Sequence, residues 1–207
     1  MSVVYLYVLD TLADWEVAHV LSEVNSKRFF KKEADVFSIQ FVGNSKEPIR
    51  TMGGIIITPD CLVEDNVINK QNVLLLPGAN TWNEPAHMAI VDKAKYFLNC
   101  GATVAAICGA TTALAKAGIL DNRAHTSNGV GFLDMFVPEY KGQSHYVDCL
   151  AFADDNLITA GATGALLWTK QILSRMNVFE EAALSAWYDY FRTGEAQYFY
   201  QLMQAVN

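Results

Sequence analysis

The sequence predicts an α/β fold: a doubly wound, mostly parallel sheet sandwiched by helices, of the flavodoxin-like type, with a helical C-terminal extension. Three observations carry this. Short apolar runs alternate with helix-period segments through residues 1–177. The runs are continuously apolar rather than alternating, as strands covered on both faces are. Residues 178–207 show no strand pattern and a dense set of aromatics.

Residues 3–9 are the first apolar run, and "ADWEVAHVLSEV" after it places Trp15, Ala18, Val20, Leu21 and Val24 at helical spacing. A second strand is read over residues 36–42. "IRTMGGIIITPD" holds a Gly-Gly turn and a short strand at 55–58, and residues 72–76 form a buried strand that ends at Pro77-Gly78. Residues 84–100 are helical, with Pro85 suited to the first turn and Gly101 to the C-cap. Residues 104–107 run as a strand into Cys108, where a small-residue helix begins that ends near Gly118. "RAHTSN" reads as a brief strand or loop, "YVDCLAFADDNLITAG" as two strands around an Asp-Asp-Asn turn, and "ATGALLWTKQIL" as a helix. The extension, 178–207, should form two helices broken at Gly194, packed on the domain or on a second subunit.

With 52% hydrophobic and 18% charged residues, the 207-residue chain can bury a core without disulfides. Its net charge of -7 argues against nucleic acid as a partner. The only basic cluster, "KRFFKKE", reads as a solvated helix end with Phe29 and Phe30 turned inward. No run approaches the ~20 apolar residues of a membrane span, and the N-terminus lacks a basic leader, so no membrane partner and a cytoplasmic location are expected. Cys61, Cys100, Cys108 and Cys149 include no C-x-x-C pair and are expected to be free thiols. His19, His87, His125 and His145 show no metal-ligand spacing. Neither a metal nor another cofactor is expected.

Cys108 sits where the apolar strand of "TVAAICGATTALAKAGIL" must bend into a helix. In an open α/β sheet that bend projects into the crevice at the carboxyl ends of the strands. A tight elbow needs small flanking residues, supplied here by Ala106 and Ala110. Gly109 can present its N–H at the start of the helix, whose positive end is expected to lower the thiol pKa toward neutrality. On spacing alone, Cys108 reads equally as a small buried apolar residue. Cys61, Cys100 and Cys149 lack this setting and read as ordinary packing or surface residues.

"AAICGATTALAKAGILDNR" resembles the signature of the ThiJ/PfpI family, in the class I glutamine-amidotransferase-like superfamily. That superfamily includes intracellular cysteine peptidases, deglycase or glyoxalase-like proteins and a Parkinsonism-associated redox protein. The resemblance extends to about Leu173, where "NLITAGATGALLWTKQIL" is similar to the family's last strand and helix. It implies Cys108 as nucleophile and Glu16 of "LADWEVAHVL" as the acid that hydrogen-bonds it. "LLLPGANTWNE" resembles the family's oxyanion loop, implying that backbone N–H groups of Gly78 and Ala79, with Gly109, hold a developing oxyanion. The family's imidazole commonly closes a T-T-H or T-S-x segment, a register filled here by Ser127 and Asn128. His125 lies two or three positions early; a shift of two keeps the same face of a strand and a shift of three does not. His125 is therefore the candidate partner, with His145 or His87 of a second subunit as substitutes.

The resemblance implies a homodimeric, cysteine-dependent hydrolase or amidase, peptidase-like or deglycase/glyoxalase-like, acting on a small-molecule amide, a peptide or a carbonyl adduct. The alternative is a thiol redox sensor or stress-response protein without turnover, with oxidised Cys108 held by Glu16. An α/β-hydrolase triad of Cys108, Asp134 and His145 is weaker, because too few residues separate Cys108 from His145. A glutaminase is disfavoured by the lack of H-x-E.

Overall fold

The computed structural model describes residues 2–206. Its first strand, β1 (Ser2–Tyr7), leads into α1 (Asp14–Ser26) and then β2 (Phe37–Gly43), parallel to β1. The short strands β3 (Ile49–Arg50) and β4 (Ile56–Ile57) pair with each other in a separate antiparallel hairpin. The short strand expected at 55–58 is thus β4, which lies outside the main sheet. Its turn is fastened instead by Asp14, whose carboxylate accepts the Gly53 N–H at 2.7 Å. The edge strand is β5 (Cys61–Leu62), followed by β6 (Val73–Leu76), α2 (Met88–Asn99) and β7 (Thr103–Ile107). Then come α3 (Ala110–Lys116), α4 (Phe132–Phe136), β8 (Ala151–Asp154), β9 (Leu157–Ala160), α5 (Ala165–Met176), α6 (Glu181–Thr193) and α7 (Ala196–Ala205).

The main sheet has the order β5-β2-β1-β6-β7-β9-β8 and is parallel except for the β8–β9 hairpin. That mostly parallel, helix-flanked sheet is the flavodoxin-like architecture expected from the alternating runs. β6, β7 and β9 are buried along their whole length, which is why their sequences are apolar without alternation. The chain leaves β1 on one side toward β2 and returns on the other as β6. The crevice at a doubly wound sheet's switch point therefore lies at the carboxyl ends of β1, β6 and β7.

Helices α1, α5 and α6 pack against one another, and α3 packs against both α2 and α4. The helix expected from residue 84 starts as a 3-10 turn, Pro85–His87, before α2. "RAHTSN" is irregular and makes one parallel bridge, His125 to Tyr146. The C-terminal extension forms two helices that separate at Gly194, where φ is +73°. It packs on its own chain: Trp187 of α6 is fully buried and donates its indole N–H to Glu23 Oε1 of α1 at 3.0 Å. Arg28 also binds that carboxylate. After α1, Phe29 is buried and Phe30 packs on Phe179, leaving Lys27 and Lys32 to solvent while Lys31 donates to Asn177 Oδ1 at 2.8 Å. Among the described residues no helix is long and apolar enough to cross a membrane.

Candidate active site

β7 is fully buried up to Ile107, and Cys108 then takes φ +57°, a left-handed conformation that costs a non-glycine residue about 1–2 kcal/mol. The turn is held on both sides: the Cys108 N–H donates to Ala160 O at 2.9 Å, and Cys108 O accepts from Thr111 N–H at 3.1 Å. Ala106 and Ala110 are wholly buried, so larger side chains there would collide with the core. The thiol itself is only half-buried. A strained, half-exposed thiol between two buried alanines at a strand-to-helix turn has the geometry of a nucleophile elbow.

Two glycines let the neighbouring loop approach. A Cβ on Gly109 would lie 2.8 Å from Ala79 O, and one on Gly78 would lie 2.6 Å from Glu16 Oε2 and 2.8 Å from Cys108 Cβ. The Pro77-Gly78-Ala79 loop, Glu16, Cys108 and Gly109 therefore meet at one point, although they come from three parts of the sequence. Gly78 donates its N–H to Glu16 Oε2 at 2.6 Å. Of the N–H groups expected to hold an oxyanion, that of Gly78 is thus engaged elsewhere. The Ala79 N lies against Gly109, and the Gly109 N–H interacts with the Cys108 sulfur.

Glu16 is completely buried, and burial pushes its carboxyl up to about 7 against the downward pull of the Gly78 N–H and the Cys108 thiol. Its Oε1 is buried without a hydrogen-bond partner among the described residues. Burial also raises the Cys108 thiol; the Asn128 amide and the Gly109 N–H oppose this, and the Glu16 carboxylate adds to it. The expected lowering by the helix N-terminus is therefore reversed. α3 is a short helix, and desolvation with a facing carboxylate outweighs its dipole. Both environments therefore favour the neutral forms of carboxyl and thiol.

His125 does not reach the thiol. It is fully buried, its Nε2 accepts from Tyr140 Oη at 2.5 Å, and its Nδ1–H donates to Arg123 O at 2.6 Å. Both ring nitrogens are occupied, and burial lowers its pKa, so the ring is a neutral core group. The residue that does reach sulfur is Asn128, whose Nδ2–H donates to Cys108 Sγ at 3.3 Å. Its Oδ1 accepts the Ala162 N–H at 2.8 Å, which fixes the amide with its NH2 toward the thiol. Three positions separate the two residues, the odd shift that puts them on opposite faces of extended chain. The sequence marked Asn128 only as the residue in the imidazole's register. What identifies it as a site residue is the Ala162 contact, which no local pattern shows. His87 is also removed from the thiol, with Nδ1 beside Tyr7 Oη (2.7 Å) and Asn44 Nδ2 (3.1 Å).

Above the sulfur lies an open cleft of about 430 Å³ whose lining includes Cys108, Gly109, Ala79 and Asn128 together with the rings of Trp82, Phe132 and Phe136. Asn128 also borders a neighbouring cavity of about 420 Å³ that contains Asp148 and Cys149. Cys100 and Cys149 are exposed and Cys61 is partly buried, each as a free thiol.

The model of the DJ-1/PfpI family matches residues 2–175. The chain is 40% identical over 204 residues to the "Uncharacterized protease YoaZ" of Bacillus subtilis, covering 99% of this chain and 97% of that protein. It is 31% identical over 150 residues to Drosophila melanogaster "Protein DJ-1alpha", covering 68% of this chain and 67% of the other. Among solved structures, the thiJ/pfpI family protein from Bacillus anthracis superposes with a TM-score of 0.96 at 40% identity, covering 100% of this chain and 98% of that one. With the family pattern matched through almost all of the α/β domain and the elbow, carboxyl and glycine loop assembled as described, the chain belongs to the DJ-1/PfpI family.

Proposed function

We propose that this protein is a cysteine-dependent hydrolase that works by adding Cys108 to the carbonyl carbon of a small, reactive carbonyl compound, in the manner of the glyoxalase-like members of its family. The observation that supports this reading is the pairing of Cys108 with a buried carboxyl raised to about 7, with no imidazole joined to either. Cleaving an amide through an acyl-enzyme requires an acid to protonate the departing amine, the task an imidazole usually serves. Adding a thiol to an aldehyde expels nothing. The sulfur bonds to carbon, Glu16 takes the thiol proton, and the same proton passes to the carbonyl oxygen. The N–H groups of Gly109 and Ala79 stabilise the oxygen while it is negative.

For an α-oxoaldehyde the sequence closes without an external oxidant. Glu16 takes the former aldehyde hydrogen as a proton and returns it to the adjacent carbon, while the hydroxyl proton on the former aldehyde oxygen passes to the neighbouring oxygen. The aldehyde carbon is thereby oxidised, its neighbour reduced, and a 2-hydroxyacyl thioester results. Water then attacks the thioester, releasing the 2-hydroxy acid and restoring the thiol. With methylglyoxal, lactate should accumulate in step with aldehyde loss. Cys108→Ala should abolish it, and Glu16→Gln should lower kcat by about 10²- to 10⁴-fold. Hydrolysis of peptide amides by the wild-type protein, with no lactate formed, would reject the reading.

A thiol-sensor function is favoured by one further observation. Asn128, the Gly109 N–H and a protonated Glu16 place hydrogen-bond donors around the sulfur, a setting that suits a sulfinate. Two successive reactions with peroxide would each add one oxygen to Cys108 and release one water. Intact-mass spectra separate the functions: a sensor accumulates the two-oxygen form at Cys108 and turns over no carbonyl substrate.

A further inference from the structure

Three aromatic rings line the cleft over Cys108, and among the described residues no charged side chain does. Trp82 is held rigidly. Its indole N–H donates to Pro77 O at 2.7 Å, its ring packs at 5.6 Å against both Tyr7 and His87, and it is only 7% exposed. Its Cδ1 would lie 3.4 Å from a Cβ on Gly109, so the indole edge stands beside the elbow. The second apolar surface is the pair Phe132 and Phe136, one turn apart on α4 with ring centroids 4.8 Å apart. Leu133, buried on the same short helix, anchors it, while Phe136 remains 60% exposed. Phe136, with the partly exposed Phe132, presents apolar surface at the mouth of the cleft. The remaining lining includes the neutral side chains of Asn80, Asn83 and Thr112. At about 430 Å³ the space falls within the range that takes ligands much larger than a three-carbon aldehyde.

We propose that the Cys108 cleft selects uncharged carbonyl compounds that carry an aromatic ring, with the ring seated against Trp82 and the Phe132–Phe136 pair and the carbonyl over the sulfur. This rests on the carbonyl-addition reading and adds its substrate class. The absence of lysine and arginine from the lining leaves a substrate carboxylate or phosphate without a counter-charge. Aromatic rings, by contrast, gain from offset or edge-on packing with all three side chains.

The test is the kcat/KM of phenylglyoxal divided by that of methylglyoxal, measured in the wild type, in Phe136→Ala and in the double variant Phe132→Ala/Phe136→Ala. Dividing the ratio of each variant by that of the wild type removes the intrinsic reactivity of the two aldehydes. The ratio should fall on the order of tenfold in the double variant and less in Phe136→Ala, the size expected for removing apolar contacts that discriminate substrates. An unchanged ratio overturns the proposal. A second measurement needs no turnover: protection of Cys108 from iodoacetamide by acetophenone, a neutral aromatic ketone. Protection in the wild type that is lost in the double variant supports the proposal, and equal alkylation with and without acetophenone in the wild type overturns it. Should neither glyoxal be turned over, the enzymatic reading fails by itself, and the protection result still decides whether the cleft selects aromatic rings.

Discussion

Glu16 and Cys108 are useful to each other because neither environment favours the ion. A carboxyl moved by burial from 4.5 to about 7 keeps its proton in the folded state where an unfolded chain releases it. The sign of the linkage follows. Between those two values the native state binds more protons than the unfolded one, so the Glu16 contribution to stability falls as pH rises through this window, by about 3 kcal/mol in all. Glu16→Gln carries no such cost and keeps an oxygen for the Gly78 N–H. Denaturation midpoints should show it more stable than the wild type above pH 7 by up to about 3 kcal/mol, with the gain vanishing below pH 4.5. A gain independent of pH would mean that Glu16 is not buried as an acid. The same residue shapes reactivity. Burial and the Glu16 carboxylate both hold back the thiolate, so iodoacetamide modification of Cys108 should rise only above the ordinary thiol range, and Glu16→Leu, which removes the carboxylate, should move that rise to lower pH. Identical profiles in the two proteins would show that the carboxylate does not act on the thiol.

Among the elements, α6 is tied to the α/β domain through one side chain more than any other. Trp187 is fully buried, meets Phe179 and Phe191 in ring contacts, and bonds to Glu23 within α1. Trp187→Ala should cost about 3–5 kcal/mol through the cavity it leaves. Trp187→Phe keeps most of the packing and should cost about 1 kcal/mol for the lost hydrogen bond. Urea unfolding measures both. If Trp187→Ala instead leaves the main transition in place and releases a separate early one at the C-terminus, the extension unfolds as its own unit. At the elbow, Gly109→Ala should be tolerated poorly, because its Cβ would press on Ala79 O, a backbone atom that cannot swing aside.

For the whole molecule, the surface of the C-terminal helices carries an aromatic strip. His19 of α1 contacts Phe191, Phe191 contacts Tyr190, Tyr190 contacts Phe199, and Phe199 contacts Tyr200, while Trp15 stands one turn before His19 and is 54% exposed. Leu202 is the one buried residue of α7. Contiguous exposed apolar surface of this kind marks interaction sites, and we propose that it pairs two copies of the chain. Light scattering at micromolar concentration should give twice the chain mass, and Phe199→Glu with Tyr200→Glu should halve it. A wild-type monomer would remove the proposal; a dimer insensitive to both glutamates would move the interface elsewhere.

Strands, helices and the position of the elbow were legible in the sequence because they depend on local rules: continuous apolar runs for doubly covered strands, the period of α1, small residues around Cys108, and the left-handed turn at Gly194. The convergence of Glu16 with Cys108 was legible only through the family pattern, since nothing near either residue points to the other. The identity of the group opposite Glu16 at the sulfur was decided by tertiary structure. His125 and Asn128 lie in one short segment, and composition favours the imidazole. Yet Tyr140 and Arg123 occupy the histidine's nitrogens, while Ala162, from the far side of the sheet hairpin, turns the asparagine amide toward the thiol. The sign of the thiol's pKa shift was settled in the same way. A helix start can be read from neighbouring residues, but burial and a facing carboxylate are sums over the whole fold, and here they outweigh it.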